Sequence, residues 1–124
     1  MEKLKFVAEQ MAALEIPYEF GEWTSAVQYP YFVGEITEEE ATTEDGAEES
    51  TFILTGFHRG KYIDLEKIKE KINMHFLPYG GYRQATEKGA IVGFYAGSFF
   101  MPTNEADLKK IQINLKIKYW KGVL

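Results

Sequence analysis

The last long segment of this chain alternates between apolar and polar side chains without a break. Its apolar members are Ile111, Ile113, Leu115, Ile117 and Tyr119, and they alternate with Lys110, Gln112, Asn114, Lys116 and Lys118. Successive side chains of a β-strand point to opposite faces, so a period of two predicts a strand with one buried face and one basic, solvated face. A sheet with one solvated face is typical of antiparallel pairing. The pattern therefore predicts an antiparallel sheet.

The remaining segments predict two helices and five further strands around this one. One helix is predicted over residues 2–15, and a second begins at Asp64 as its N-cap, with Ile63 and Ile68 as a hydrophobic staple, and ends before Pro78. The other strands are predicted over residues 18–20, 31–36, 51–57, 82–86 and 90–95. The order α-β-β-β-α-β-β-β predicts one α+β domain over residues 1–124, in which two helices pack on one face of an antiparallel or mixed sheet.

The stretch from Thr37 to Ser50 is the most polar part of the chain. It contains Asp45-Gly46 as a turn signal and seven acidic residues: Glu38, Glu39, Glu40, Glu44, Asp45, Glu48 and Glu49. Its position between two strands predicts the tip of a long acidic β-hairpin. Repulsion between so many like charges favours a mobile loop unless a basic partner orders it.

Charge is distributed unevenly along the sequence. Residues 1–58 hold thirteen acids and two bases, whereas residues 59–124 hold six acids and twelve bases, which gives −11 and +6 and a total of −5. Oppositely charged surfaces suit head-to-tail association between copies of one chain or binding of a partner of the right sign. The alternative interpretation is that the two halves pack side by side and the charges are simply solvated.

Composition excludes several functional classes. The chain has no cysteine, so disulfides, zinc–thiolate sites and cysteine nucleophiles are excluded. No apolar run approaches the roughly 20 residues that span a bilayer, and the first residues do not resemble a signal peptide. The sequence thus predicts a soluble intracellular product with no membrane partner, unless it leaves the cell inside a larger particle. A net charge of −5 argues against general binding to nucleic-acid backbones.

The sequence offers little catalytic or ligand-binding chemistry. His58 and His75 are far apart in sequence and outside any metal-ligand spacing, so we interpret each as a buried or capping histidine. No serine lies in a nucleophile elbow, and no glycine cluster has the context of a phosphate-binding loop. Asp45-Gly46 is only a fragment of a calcium loop, which leaves weak divalent-cation binding open. We predict no catalytic residue, no cofactor and no dedicated metal site.

The order of elements resembles the tail terminator, or tail completion, proteins of long-tailed bacteriophages and prophages. The resemblance rests on the N-terminal helix, the strand that begins Pro30-Tyr31-Phe32-Val33, a hairpin of variable length, the helix over residues 64–77, a glycine-rich turn, the loop Pro102-Thr103-Asn104-Glu105-Ala106-Asp107-Leu108, and the alternating last strand. The resemblance covers nearly the whole chain, and it is a resemblance of chain length and of sequence pattern. The acidic hairpin tip is longer and more charged than is typical of that family.

The resemblance implies a structural protein that is not an enzyme. Members of that family form a hexameric ring that ends the tail tube and docks onto the head–tail connector. The implied partners are other copies of the chain, the tail tube protein and the connector protein, with DNA only as cargo in the lumen. The implied location is the head–tail interface of the virion, and the host cytoplasm during assembly. Two alternatives remain: another head–tail joining (neck) protein, or a small ligand-binding or enzymatic α+β domain with an aromatic pocket.

Within such a ring, the charge split suggests which residues join the subunits. The acidic hairpin of one copy would lie against the basic sheet face of its neighbour. The residues expected at this contact are Glu38, Glu39, Glu40, Glu44, Asp45, Glu48, Glu49, Lys110, Lys116 and Lys118. Alternatively, the acids face the tail tube or connector, or they line the lumen and repel passing DNA. The lysines around Lys109-Lys110 could instead contact nucleic acid, but their polar face lacks the interleaved aromatics of a single-strand binding surface.

Overall fold

The computed structural model describes residues 2–42, 46–77 and 79–122, with the side chains of residues 38–42 left outside the description. Two helices and six strands follow one another in the predicted order. Their bounds are α1 Glu2–Ala13, β1 Tyr18–Phe20, β2 Tyr31–Thr42, β3 Glu48–His58, α2 Tyr62–Phe76, β4 Tyr82–Thr86, β5 Gly89–Met101 and β6 Lys109–Lys121. The α+β class is therefore confirmed.

The six strands form one mixed sheet in the order β1-β2-β3-β6-β5-β4. The short edge strand β1 runs parallel to β2, and every other neighbouring pair is antiparallel. The strand with the strict alternation, β6, lies inside the sheet between β3 and β5. Its register is continuous with β3, from His58 opposite Lys109 to Glu48 opposite Tyr119.

The apolar core lies between one face of the sheet and both helices. The apolar side chains of β6 are buried there together with Phe6 and Val7 of α1 and Leu65 and Phe76 of α2. The rings of Phe6 and Phe76 meet edge to face with centroids 6.3 Å apart. Both rings lie about 3.0 Å from the position that a Cβ would take at Gly93 of β5, so both helices pack on the same face, as predicted. Burial of each such side chain contributes roughly 1.5–3 kcal/mol to folding.

The helix α2 begins earlier than the sequence predicts. Its N-cap residue is Lys61, and Asp64 lies at the third helical position, so the prediction of Asp64 as N-cap is wrong. The Asp64 carboxylate accepts a hydrogen bond from the Lys61 backbone N–H at 3.3 Å, which makes it the returning half of a capping interaction. The predicted staple is also wrong, because Ile63 lies within the helix and is exposed.

The acidic hairpin is more regular than predicted. β2 continues to Thr42 and β3 begins at Glu48, with pairs at Glu38–Ser50 and Thr42–Glu48 and an irregular register between them. Most of the stretch predicted as a loop is thus paired strand, and Glu44 and Asp45 lie outside the described residues. The regularity follows from β6, which pairs with β3 along its whole length and supplies it with basic neighbours.

Candidate functional site

In the described part of the chain, both helices pack on one face of the sheet and leave the opposite face uncovered. On β6 this face carries the polar half of the alternation, and each of its five side chains is half-buried: Lys110, Gln112, Asn114, Lys116 and Lys118. The register places Phe57 beside Lys110 and Phe94 beside Lys116. The face predicted to be basic and solvated is therefore a mixed surface, in which aromatic side chains lie beside the lysines.

On the side of this face formed by β2 and β3, aromatic rings form a continuous stack. The ring centroids of Trp23 and Tyr31 are 4.8 Å apart, and those of Tyr31 and Phe57 are 5.2 Å apart in a stacked arrangement. The ammonium of Lys110 lies 5.6 Å from the Phe57 ring centroid. These residues, with Glu22 and Glu35, line a concavity of about 410 Å³ that we call the aromatic groove. Its volume falls within the range of ligand-sized clefts, and it opens broadly to solvent.

The outer wall of the aromatic groove is the connector between β1 and β2, which Glu19 fixes in place. The Glu19 carboxylate accepts hydrogen bonds from the Thr24 backbone N–H at 3.1 Å, from the Thr24 hydroxyl at 2.7 Å and from the Ser25 N–H at 3.2 Å. Because the bonds from Thr24 and Ser25 favour the charged form, they lower the pKa of Glu19 to about 2. Glu19 therefore stays ionised and holds Trp23 beside the sheet at any physiological pH.

Arg59 ties this connector to the end of β3 and to the loop before β6. Its guanidinium forms ion pairs with Glu105 and with Asp107, the latter at 2.6 Å, and donates a hydrogen bond to the Tyr29 hydroxyl at 3.2 Å. The same group lies 5.5 Å from the Tyr29 ring centroid. The hydrogen bond to Glu105, followed by that to Tyr29, raises the pKa of Arg59. Sequence analysis gave no signal for these contacts of Arg59.

The structure brings some of the predicted interface charges together within one chain. Glu49 lies 3.7 Å from Lys118 across the β3–β6 pair. Glu48 lies 3.3 Å from Lys3 of α1 and 3.5 Å from Lys121. Burial alone would raise the pKa of Glu48, but the hydrogen bond and charge of Lys3, aided by Lys121, lower it. These two carboxylates therefore anchor the turn end of the hairpin to β6 and α1. Sequence reasoning missed this role because the strand register was not known.

The remaining predicted interface residues are two described lysines, Lys110 and Lys116, and five acids whose side chains lie outside the description. Glu38, Glu39 and Glu40 lie on β2, where only their backbone is described, so their contacts are outside the description. Lys110 lies over Phe57 in the aromatic groove. Lys116 lies between Thr51 and Phe94 on the neighbouring strands. Among the residues whose side chains are described, Lys116 has no carboxylate within ion-pair distance, so its charge is available on the uncovered face.

The two histidines are engaged in local structure. His58 Nε2 lies 2.9 Å from the Asp64 carboxylate, which can only accept, so this nitrogen carries the proton and donates it. That bond, with the bond from the Lys61 N–H, lowers the pKa of Asp64. His75 Nε2 lies 2.8 Å from Gln10 Oε1, and its ring stacks on Tyr82 with centroids 4.4 Å apart. Among the described residues, no group of three His, Asp or Glu side chains could hold a metal ion.

His75 predicts a pH dependence of stability. Burial lowers its pKa below the ordinary value of 6.5, so the unfolded chain binds the proton more readily than the folded chain. The contribution of neutral His75 to the free energy of unfolding is therefore present in full above pH 6.5. It is lost as the pH falls from 6.5 through the lower pKa that His75 has in the folded protein. Urea denaturation at pH 7, 6 and 5 should show a declining free energy of unfolding, with a smaller decline in His75→Gln. An equal decline in both proteins would contradict this assignment.

No helix in the described residues is long and apolar enough to cross a membrane. No family model matches this chain, and no curated protein matches its sequence.

Proposed function

We propose that this chain is a structural virion protein that assembles into a ring, ends the phage tail tube and joins the tail to the head connector. The observation that carries the proposal is the uncovered face of the sheet. This face places half-buried lysines beside aromatic rings and includes the aromatic groove. Tyr, Phe and Trp are enriched in the central parts of protein interfaces, so the aromatic part of this face suits contact with another protein.

The asymmetry of the molecule also supports assembly into a ring. One side of the sheet carries two helices and the other carries none, so a contact between the two sides joins unlike surfaces. Contacts between unlike surfaces repeat from copy to copy and close into a ring when the rotation between copies allows it. The acidic end of the β2–β3 hairpin lies at one end of the sheet, where it could meet a neighbouring copy or a tail component. The resemblance in element order to the tail terminator proteins supports placing this ring at the end of a phage tail.

The direct test is the mass of the purified protein in solution, with and without a tail tube. Light scattering at low and moderate salt should give a ring of several copies, and negative-stain images of that peak should show a closed particle. If rings form only on a tube, the protein should bind to the end of isolated tail tubes and stop their growth. Failure to form a ring in solution, combined with failure to bind tube ends, would refute the proposal.

Charge reversal in the hairpin should weaken ring assembly. In the triple variant E38K/E39K/E40K, three acids that are expected to face a basic surface become bases. We expect a lower fraction of assembled protein in low salt and a smaller effect of added salt, because screening then acts on fewer attractive pairs. The matched control is E2K/E15K/E87K, which changes the net charge equally at other positions. Equal assembly and equal salt dependence of the triple variant and wild type would count against a role for the hairpin.

A further inference from the structure

We propose that the aromatic groove receives the outward side of helix α2 from a second copy of the chain. The outward side, which we call the basic stripe, consists of Ile63, Lys67, Lys71 and Met74. The inference deepens the proposed function, on which it rests, because it names the two surfaces that meet when the ring forms.

The chemistry of the aromatic groove suits a cation. Glu22 and Glu35 are both exposed in its lining. Neither forms a hydrogen bond or ion pair with another residue whose side chain is described, in contrast to Glu19, whose oxygens Thr24 and Ser25 already occupy. An ammonium group held over aromatic faces and beside carboxylates gains both cation–π and Coulomb attraction. The Lys110 ammonium already lies over the Phe57 ring at one end of the groove. A cation from another copy would therefore bind at the other end, beside Trp23 and Tyr31.

The basic stripe has the complementary composition. Its residues lie on the side of α2 opposite the buried Leu65 and Ile72. Ile63 is 56% exposed and Met74 is 74% exposed, so an apolar side chain stands at each end. Between them, Lys67 and Lys71 are exposed, and neither has an ion-pair partner among the described side chains.

The neighbouring charges leave this stripe basic. Glu70 lies at its border, but it lies 3.7 Å from Lys69, which also pairs with Glu66 at 2.6 Å. Asp64 is near enough to Lys67 for the lysine charge to help lower the pKa of its carboxyl, but its carboxylate is already held by His58 and the Lys61 N–H. Lys67 and Lys71 are one helical turn apart, at a spacing of roughly 6 Å. Ile63 and Met74 are exposed on either side of these lysines and would add apolar area to a contact.

The two surfaces cannot meet within one molecule. The side chains of the aromatic groove on β2 and β3 point away from the helices, whereas the basic stripe points outward from the helix layer on the opposite side of the sheet. Contact between them must therefore join two copies head to tail. Each copy then offers one groove and one stripe, which is the arrangement needed for a closed ring.

The test is an exchange of charge between the two surfaces. The variants K67E/K71E and E22K/E35K should each self-associate about tenfold more weakly than wild type, because reversal turns attraction at the contact into repulsion. An equimolar mixture should recover assembly, since the acidic stripe of one variant meets the basic groove of the other and the remaining native surfaces pair as before. The controls K5E/K88E and E15K/E87K change net charge equally away from both surfaces and should assemble like wild type. Thermal melting of each variant checks that it is folded.

Cysteine cross-linking extends the test to a chain that remains monomeric in solution. The chain has no cysteine, so K71C and E35C introduce the only thiols. Mixed at high concentration under mild oxidation, they should yield a cross-linked dimer well above that from K88C with E35C. Equal yields would overturn the inference, as would assembly that neither reversal weakens or that the mixture fails to recover. If the wild type forms rings but the cross-linking or charge-exchange results contradict this contact, the proposed function stands and only this inference fails. If K71C and E35C cross-link specifically but the protein neither forms rings nor binds tube ends, this contact is retained and the tail-end role is refuted.

Discussion

Replacing Phe76 by alanine is expected to lower the free energy of unfolding by about 3–5 kcal/mol, the largest effect of any substitution considered for this chain. Phe76 is completely buried at the end of α2. Its ring meets Phe6 of α1 at 6.3 Å and Tyr82 of β4 at 6.5 Å, so one side chain joins both helices to the edge of the sheet. Truncation leaves a cavity between three elements that cannot all move inward together.

Urea denaturation monitored by circular dichroism measures this loss. Phe76→Leu is the matched control, because it keeps most of the buried volume and should cost clearly less than the alanine variant. A cost below about 1 kcal/mol for Phe76→Ala would mean that the helices do not depend on this junction. Since Phe76 anchors α2, a protein that remains folded with a loosened helix should also assemble poorly.

The second large effect is expected at Gly56, where two buried side chains leave no room for a methyl group. A Cβ at this position would lie 2.5 Å from two ring carbons of Phe32 and 3.0 Å from Ile111 Cγ2. Phe32 and Ile111 are completely buried, so neither side chain can turn into solvent to make room. Gly56→Ala should therefore lower the free energy of unfolding by about 1–3 kcal/mol through overpacking.

Thr55→Ala provides the control for Gly56→Ala on the same strand. Thr55 lies on the uncovered face beside Gln112 and is only half-buried, so its truncation should cost less. Thermal melting of the two variants against wild type gives the comparison. Equal melting temperatures for Gly56→Ala and wild type would show that β2 or β6 shifts to accept the extra methyl group.

Regular periodicity is what made much of the fold predictable. The unbroken alternation of β6 identified its buried face, and the helical spacing of Leu65, Ile68, Ile72 and Phe76 on one apolar face predicts α2. The start of α2 was predicted wrongly, because the Asp64 side chain can stabilise a helix N-terminus from either of two positions. Asp64 is a good N-cap residue, yet the structure uses it as the partner of the Lys61 N–H, because the helix continues back to Tyr62.

The candidate site was much less accessible to sequence reasoning. Whether Glu49 meets Lys118 in the same chain depends on strand register, which the alternation of β6 alone does not specify. The aromatic groove combines Trp23 from a connector with Tyr31 and Phe57 from two strands, so its members are scattered in sequence. Glu19 followed by Thr24-Ser25 was the one local signal that this connector is fixed, since hydroxyl and amide donors there can satisfy a carboxylate.

The central position of β6 has a consequence for synthesis on the ribosome. Among the described elements β6 comes last in the chain, yet it separates β3 from β5 and carries the apolar row on which both helices rest. Until it emerges, the first three strands and the β4–β5 pair have no shared neighbour, and the apolar sides of both stay open. The native sheet therefore forms only after Lys109–Lys121 has been released, and chains that stop before this strand should remain incompletely folded. A chain that lacks β6 therefore lacks the strand at which the two halves of the sheet meet.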